Sequence, residues 1–329
     1  MSLAAPLSIQ TAYLTDPGMV RDENQDACFE LRGPAGEALL LVADGMGGHQ
    51  GGATASRMVV ETAREFFELA PHWSGDLLRD AITEANTRIR RAASQQSELM
   101  GMGTTVVAML FGGGGGAWVA HVGDSRAYRL RDGALERLTR DHSTVAELVR
   151  LGTISEAEAQ YHPRRNEVLR SVGVRDDIDV ELAPLEVKPG DRLLLCSDGL
   201  SCVLTDEEIA AVLGGLAPDD GVRTLVESAN ARGGPDNVTV MVSAVDHRAS
   251  YGRRASRIPE RGRAFAVAGG VVAALIAIAI GLFFGLFFGQ DEPEPSVGRL
   301  RAGQSDSQNV SAPPTETRAA SQQEAESSR

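Results

Sequence analysis

Two rhythms of apolar and polar positions alternate along residues 1–247. Short stretches that alternate, or are apolar throughout, predict strands at 8–14, 27–31, 38–43, 104–111, 118–122, 127–131, 179–182, 192–196 and 238–245. Apolar residues spaced three and four apart predict helices instead. One covers 53–69, with Ala55, Val59, Ala63 and Phe66 on one face, and another covers 76–93, with Leu78, Ile82, Ala85 and Ile89. Shorter helices are expected at 144–151, 155–160, 206–213 and 220–231. Short turns between neighbouring strands favour antiparallel pairing. The economical packing is an α+β, four-layer αββα sandwich, with two antiparallel sheets face to face and a helix pair over each outer surface. The glycine run 112–116 predicts a β-turn, because no Gly-Lys-Ser/Thr follows to make a phosphate loop.

One stretch breaks the rhythm. Residues 264–288 are 25 positions without a charge. As a helix they would reach ~37 Å at about 1.5 Å per residue, enough to span ~30 Å of hydrocarbon. A transmembrane helix is therefore expected there. Residues 248–263, with six Arg and one Glu, read as a basic juxtamembrane linker. The positive-inside rule places residues 1–263 in the cytoplasm and the C-terminal tail outside the cell membrane. That tail, 289–329, is rich in Ser, Gln, Pro and Glu and predicts disorder. Gly269, Ala273, Ala277, Gly281, Gly285 and Gly289 recur every four positions, a face through which the span could form a homodimer. The N-terminus carries no basic region followed by an apolar run, so no signal peptide is expected.

Composition narrows the chemistry. The 329 residues carry a formal net charge of −13, and the acidity lies mainly before the linker. This argues against nucleic acid and for a site that collects cations. Lys188 is the only lysine and sits in a Pro-Gly turn, which argues against Schiff-base chemistry. Cys28, Cys196 and Cys202 show neither zinc spacing nor a disulfide framework, which fits a reducing compartment. None has an Arg six positions later, so a cysteine-nucleophile phosphate loop is excluded.

Five aspartates stand at predicted strand edges. Asp44 follows Leu-Leu-Leu-Val-Ala and precedes Gly45. Asp198 follows Leu-Leu-Leu-Cys-Ser and precedes Gly199. Asp124 lies in Gly-Asp-Ser-Arg, Asp236 in Pro-Asp-Asn, and Asp26 closes Arg-Asp-Glu-Asn-Gln-Asp. Strand ends aim side chains accurately. Carboxylates aimed at one point repel one another unless a cation lies between them. Hard oxygen ligands suit Mg²⁺ or Mn²⁺.

These segments carry a family resemblance. Arg21-Asp-Glu-Asn-Gln-Asp26, Asp44-Gly-Met-Gly-Gly48, Met102-Gly-Thr-Thr105, Gly123-Asp-Ser-Arg126, Ser197-Asp-Gly199 and Gly234-Pro-Asp-Asn237 come in the order seen in PPM-type (type 2C) protein phosphatases. Over about residues 8–246 the chain resembles the bacterial membrane-anchored Ser/Thr subgroup. The resemblance implies the αββα sandwich and Mn²⁺- or Mg²⁺-dependent hydrolysis of phosphoserine and phosphothreonine on proteins, opposing Ser/Thr kinases. It implies two metals, with room for a third, and attack by a hydroxide shared between the first two. By the same resemblance Asp44 bridges the metals and the Gly45 carbonyl holds the second. Asp198 and Asp236 hold the first. Asp26 orders metal-bound water, and Asp124 holds the third metal. Arg21 grips the substrate phosphate, and Asn237 assists beside the metals.

Two positions depart from the pattern. Gln25 stands where many members have Glu, which would weaken the second metal. Met46 stands where some members have a His that acts as acid for the leaving group; His49, or water on a third metal, is the substitute. Residues 144–173 resemble the flap bordering the cleft, where His142, His162, Arg164 and Arg165 are candidate phosphoprotein contacts. The alternative is a non-catalytic pseudophosphatase that binds phosphoproteins without turnover, against which the full aspartate set argues.

Overall fold

A computed structural model describes residues 7–48, 51–112 and 116–247. The linker 248–263, the expected span 264–288, the tail 289–329 and His49 lie outside the described residues. Among the described residues no helix is long and apolar enough to cross a membrane.

The chain begins with β1 (Leu7–Asp16), β2 (Asp26–Arg32) and β3 (Ala38–Met46), then α1 (Gly51–Leu69) and α2 (Gly75–Gln95). A second run of strands follows: β4 (Gly103–Thr104), β5 (Val106–Phe111), β6 (Ala117–Val122), β7 (Arg126–Arg131) and β8 (Ala134–Arg137). Next come α3 (Thr144–Arg150), α4 (Glu156–Ala159), β9 (Glu181–Pro184) and β10 (Arg192–Cys196). The described chain closes with α5 (Asp198–Ser201), α6 (Asp206–Gly215), α7 (Pro218–Ala231) and β11 (Val238–His247). Helix starts follow local chemistry. Ser74 accepts from the Leu77 amide ahead of α2, Thr205 and Glu208 form a capping box on α6, and Pro218 opens α7.

Every strand pair is antiparallel. One sheet has the order β1-β11-β10-β7-β8; the other runs β2-β3-β5-β6-β9, with β4 against β3. The expected period of two divides each strand between cores. Leu40, Val42, Val107 and Met109 meet Leu193, Leu195, Met241 and Val245 between the sheets. Leu39, Leu41, Ala108 and Leu110 turn the other way, onto Val59, Phe67, Ile82 and Ile89 of α1 and α2. On the far side Leu194, Val240 and Val242 pack on Ile209, Leu213, Leu225 and Val226 of α6 and α7. Three stacked cores make four layers, as the pattern predicts. Strands apolar on both faces suit sheets covered on both sides.

Three elements differ from expectation. The β7–β8 hairpin was not predicted, although Asp132 (φ 51°) and Gly133 (φ 80°) form the left-handed pair that such a turn requires. The strand β3 runs on past Asp44 to Met46, because β4 pairs with Gly45 and Met46. Asp198 opens the short helix α5. At the glycine run, the Gly112 amide donates to the Gly116 carbonyl at 2.8 Å, closing the turn between β5 and β6.

Candidate active site

All the predicted aspartates but Asp26 line one cleft of about 720 Å³, and Asp26 stands directly beside it. Asp26 and Asp44 face each other in the β2–β3 register. Thr105 and Thr104 fix Asp44 from the neighbouring strands. The Asp44 amide donates to Thr105 Oγ1 at 3.0 Å, and Thr104 Oγ1 donates to the Asp44 carbonyl at 2.8 Å. Gly45 is packed against backbone: a Cβ there would lie 2.2 Å from the Gly52 carbonyl oxygen and 2.5 Å from that of Gln25. Only glycine fits, and Gly45 lines the cleft as the resemblance implies.

These carboxylates are costly as they stand. Burial pushes Asp44 well above the usual carboxylate range, with the charges of Asp26, Asp198, Asp124 and Asp236 adding to it. Burial and the charges of Asp198 and Asp236 carry Asp26 up to about 7. Burial, with Asp198 and Asp141 nearby, carries Asp124 up to about 8. Asp198 is raised by burial and by Asp236. Ser197 Oγ donates to Asp26 Oδ2 at 2.7 Å, but Asp26 Oδ1 is buried with no hydrogen-bond partner. An all-oxygen, anionic, under-satisfied donor set fits hard divalent cations.

Among the described residues, only His121, His142 and Glu181 bring three ligand-type atoms within 4.8 Å of one another. The aspartates share the cleft, with Asp44 and Asp198 close enough to hydrogen-bond. Arg21 also draws Asp236 aside: its Nη2 donates to Asp236 Oδ2 at 2.9 Å. The Arg21 side chain is 56% exposed, at the mouth of the cleft.

Asn237 lines the cleft beside the aspartates, and its side-chain bonds run to backbone. Its Oδ1 accepts from the Gln25 amide at 2.8 Å, and its Nδ2 donates to the Pro17 and Glu23 carbonyls at 2.9 and 2.8 Å. The side chain braces the loop that carries Arg21. Gln25 and Met46, the two departures from the family pattern, both line the cleft.

Of the flap, Asn166, Glu167 and Val168 reach the cleft. Arg164 turns to Glu167, with its Nε donating at 2.5 Å, and the Arg165 side chain is exposed. His142 corrects the expectation. It is buried and hydrogen-bonded to Glu181 at 2.9 Å, so it is not available to an incoming phosphoprotein. Sequence reading also missed the Arg126–Asp141 pair, with Nη2 to Oδ2 at 2.6 Å, which secures the residues after Asp124. Its only signal was the lone Arg of Gly-Asp-Ser-Arg.

An acid-lined cleft at one edge of two stacked antiparallel sheets defines a metalloenzyme-like centre. The protein phosphatase 2C family model matches residues 20–233, and the chain belongs to that family. It is 40% identical over 242 residues to the serine/threonine protein phosphatase PstP of Mycobacterium tuberculosis. That match takes in 73% of this chain and 45% of the mycobacterial protein, so the chain spans under half of that relative's length. Identity to the serine/threonine phosphatase Stp of Listeria monocytogenes is 36%, over 70% of this chain and 93% of that protein. Among solved structures, the PstP catalytic domain in complex with two manganese ions superposes with a TM-score of 0.66 at 37% identity, covering 73% of this chain and all of that one.

Proposed function

We propose that this chain is a protein-serine/threonine phosphatase that depends on Mn²⁺ or Mg²⁺. The observation that carries the reading is the convergence of Asp44, Asp124, Asp198 and Asp236 on one cleft, where burial and mutual repulsion raise the pKa values of Asp44 and Asp124 and of the adjoining Asp26, whose Oδ1 has no hydrogen-bond partner. Membership of the 2C family, with relatives named as serine/threonine phosphatases, supports it. Asp44, the Gly45 carbonyl, Asp198 and Asp236 would hold two ions, and Asp124 with Asp198 a third. Bound there, the ions would acidify water and offset phosphoryl charge.

The chain's own residues supply the rest. Arg21 is exposed enough to exchange Asp236 for a phosphoryl oxygen, and its planar fork suits that contact. Asp26, beside the cleft, keeps Oδ1 as a buried, unused acceptor, while Ser197 holds Oδ2. Asn237 keeps the Arg21 loop in place. His49 is proposed as the acid that protonates the leaving hydroxyl.

The phosphorylated partners are proteins modified by Ser/Thr kinases. We assign residues 264–288 to a single membrane span, with the catalytic domain on the cytoplasmic side, on the strength of the uncharged stretch and its flanking arginines. The test is turnover of p-nitrophenyl phosphate and of a phosphothreonine peptide with and without Mn²⁺, in the unaltered chain and in Asp44→Asn. Metal-dependent turnover lost in the variant is expected. Phosphopeptide binding without turnover would establish the pseudophosphatase alternative.

A further inference from the structure

His121 on β6, His142 after β8 and Glu181 on β9 have the composition of a transition-metal site. Their hydrogen bonds give them another task. The Gly123 amide donates to His142 Nδ1 at 3.2 Å, so that nitrogen carries no proton. The proton of the neutral ring is then on Nε2, which donates to Glu181 Oε1 at 2.9 Å. Burial works against the Glu181 charge, but the bond from His142 and the nearby His121 and Arg170 outweigh it and hold its pKa below the usual range. Glu181 is therefore an ionised acceptor. His121 Nε2 lies 2.8 Å from the Arg140 carbonyl oxygen, which can only accept. Both Nε2 atoms are thus occupied as donors. A cation on His142 Nε2 would move the ring proton to Nδ1, directly against the Gly123 N–H.

The chain of bonds leads to the cleft. His142 grips Gly123 twice, because its own amide also donates to the Gly123 carbonyl at 2.9 Å. Gly123 holds a left-handed φ of 111°, and a Cβ there would lie 2.6 Å from Thr105 Cβ. The next residue is Asp124, buried and facing the cleft. Only three residues separate β6 from β7, so the conformation of Gly123 sets the direction of Asp124.

We propose that His142, with its tautomer fixed by Glu181, is a positioning residue that aims Asp124 at its cation. The proposal rests on the reading of the cleft as a metal centre. In the full chain, Mn²⁺ binding would be measured by electron paramagnetic resonance and calorimetry, alongside melting temperature. Asp124→Ala defines the weakest class of ion by abolishing it. His142→Ala and His142→Gln should weaken that class about tenfold or more, the usual range for groups that orient a metal ligand. Asn carries an acceptor close to where Nδ1 stands, so His142→Asn should stay within about threefold of the unaltered chain. Glu181→Gln should likewise keep most of the affinity, and Glu181→Ala should not. The tighter ions should be unchanged throughout.

Equal losses in the Asn and Gln variants, or a lower melting temperature with unchanged weak-class affinity, would overturn the relay alone. So would an ion retained in Asp124→Ala but lost on further removal of His142, since the cluster would then be a cation site. An unaltered chain that binds no Mn²⁺ would overturn the relay and the metal-centre reading together.

Discussion

At the residue scale, charge clustering decides most of the chemistry. Asp44→Asn and Asp198→Asn each remove one of the crowded charges and one ligand. Metal-dependent turnover should fall at least ~100-fold in either variant, and the Mn²⁺-induced rise in melting temperature should vanish. Without metal the same variants should melt higher by roughly 2–4 °C, the shift that about 1 kcal/mol makes in a domain of this size. The titration has a definite sign. Asp26 at about 7 and Asp124 at about 8 bind protons in the folded protein that the unfolded chain, near ~3.9, has already released. Metal-free stability should be greatest at the acid end of that window and decline from about pH 5 to 8. Mn²⁺ should reverse the slope, because it competes with those protons. Thermal melts across the range, with and without the ion, check both signs. The aspartates were legible because each sits in a short motif at a predicted strand edge, with Asp44, Asp124 and Asp198 directly beside a glycine. His142 with Glu181, and Arg126 with Asp141, were not. Partners 39 and 15 positions apart meet only through the fold and leave no local signature.

At the element scale, the site depends on close approach of backbones. Gly45→Ala would drive a methyl into the Gly52 and Gln25 carbonyl oxygens, at 2.2 and 2.5 Å. Turnover should collapse, and melting should fall with it, since neither obstacle is a flexible side chain. Asn237→Ala should act more selectively. It removes the bonds that the Asn237 side chain makes to the Gln25 amide and to the Pro17 and Glu23 carbonyls, at a cost of about 1–3 kcal/mol. Because the loop carries Arg21, KM for phosphopeptide should rise more than kcat falls, which steady-state kinetics on peptides of different length would measure. The long elements were readable from period alone: α1, α2, β5, β6 and β10 fall within two residues of their expected bounds. The β7–β8 hairpin was hidden because Ala134–Arg137 is only four residues long and mostly exposed at a sheet edge. Asp198 was expected at a strand end, yet the backbone turns into α5 there, with Ser197 as its cap.

At the scale of the whole molecule, the uncharged run 264–288 predicts that the full chain partitions with membranes and resists extraction by high salt and carbonate, whereas a chain ending at residue 247 does not. Release of the full chain by salt alone would argue for the arginine-rich linker as the sole attachment. The first strand of the fold pairs along its whole length with the last, Leu7 opposite His247 and Asp16 opposite Val238. That last strand lies inside its sheet, between β1 and β10, and Asp236 stands two residues before it. During synthesis, then, the sheet keeps a gap between β1 and β10 until nearly the entire domain has been made, and such distant pairing is slow to form. A ribosome-bound fragment lacking β11 would carry all five aspartates but not the strand that follows Asp236 and ties β1 to β10, so the cleft is expected to take its final shape only when the last strand of the domain has been made.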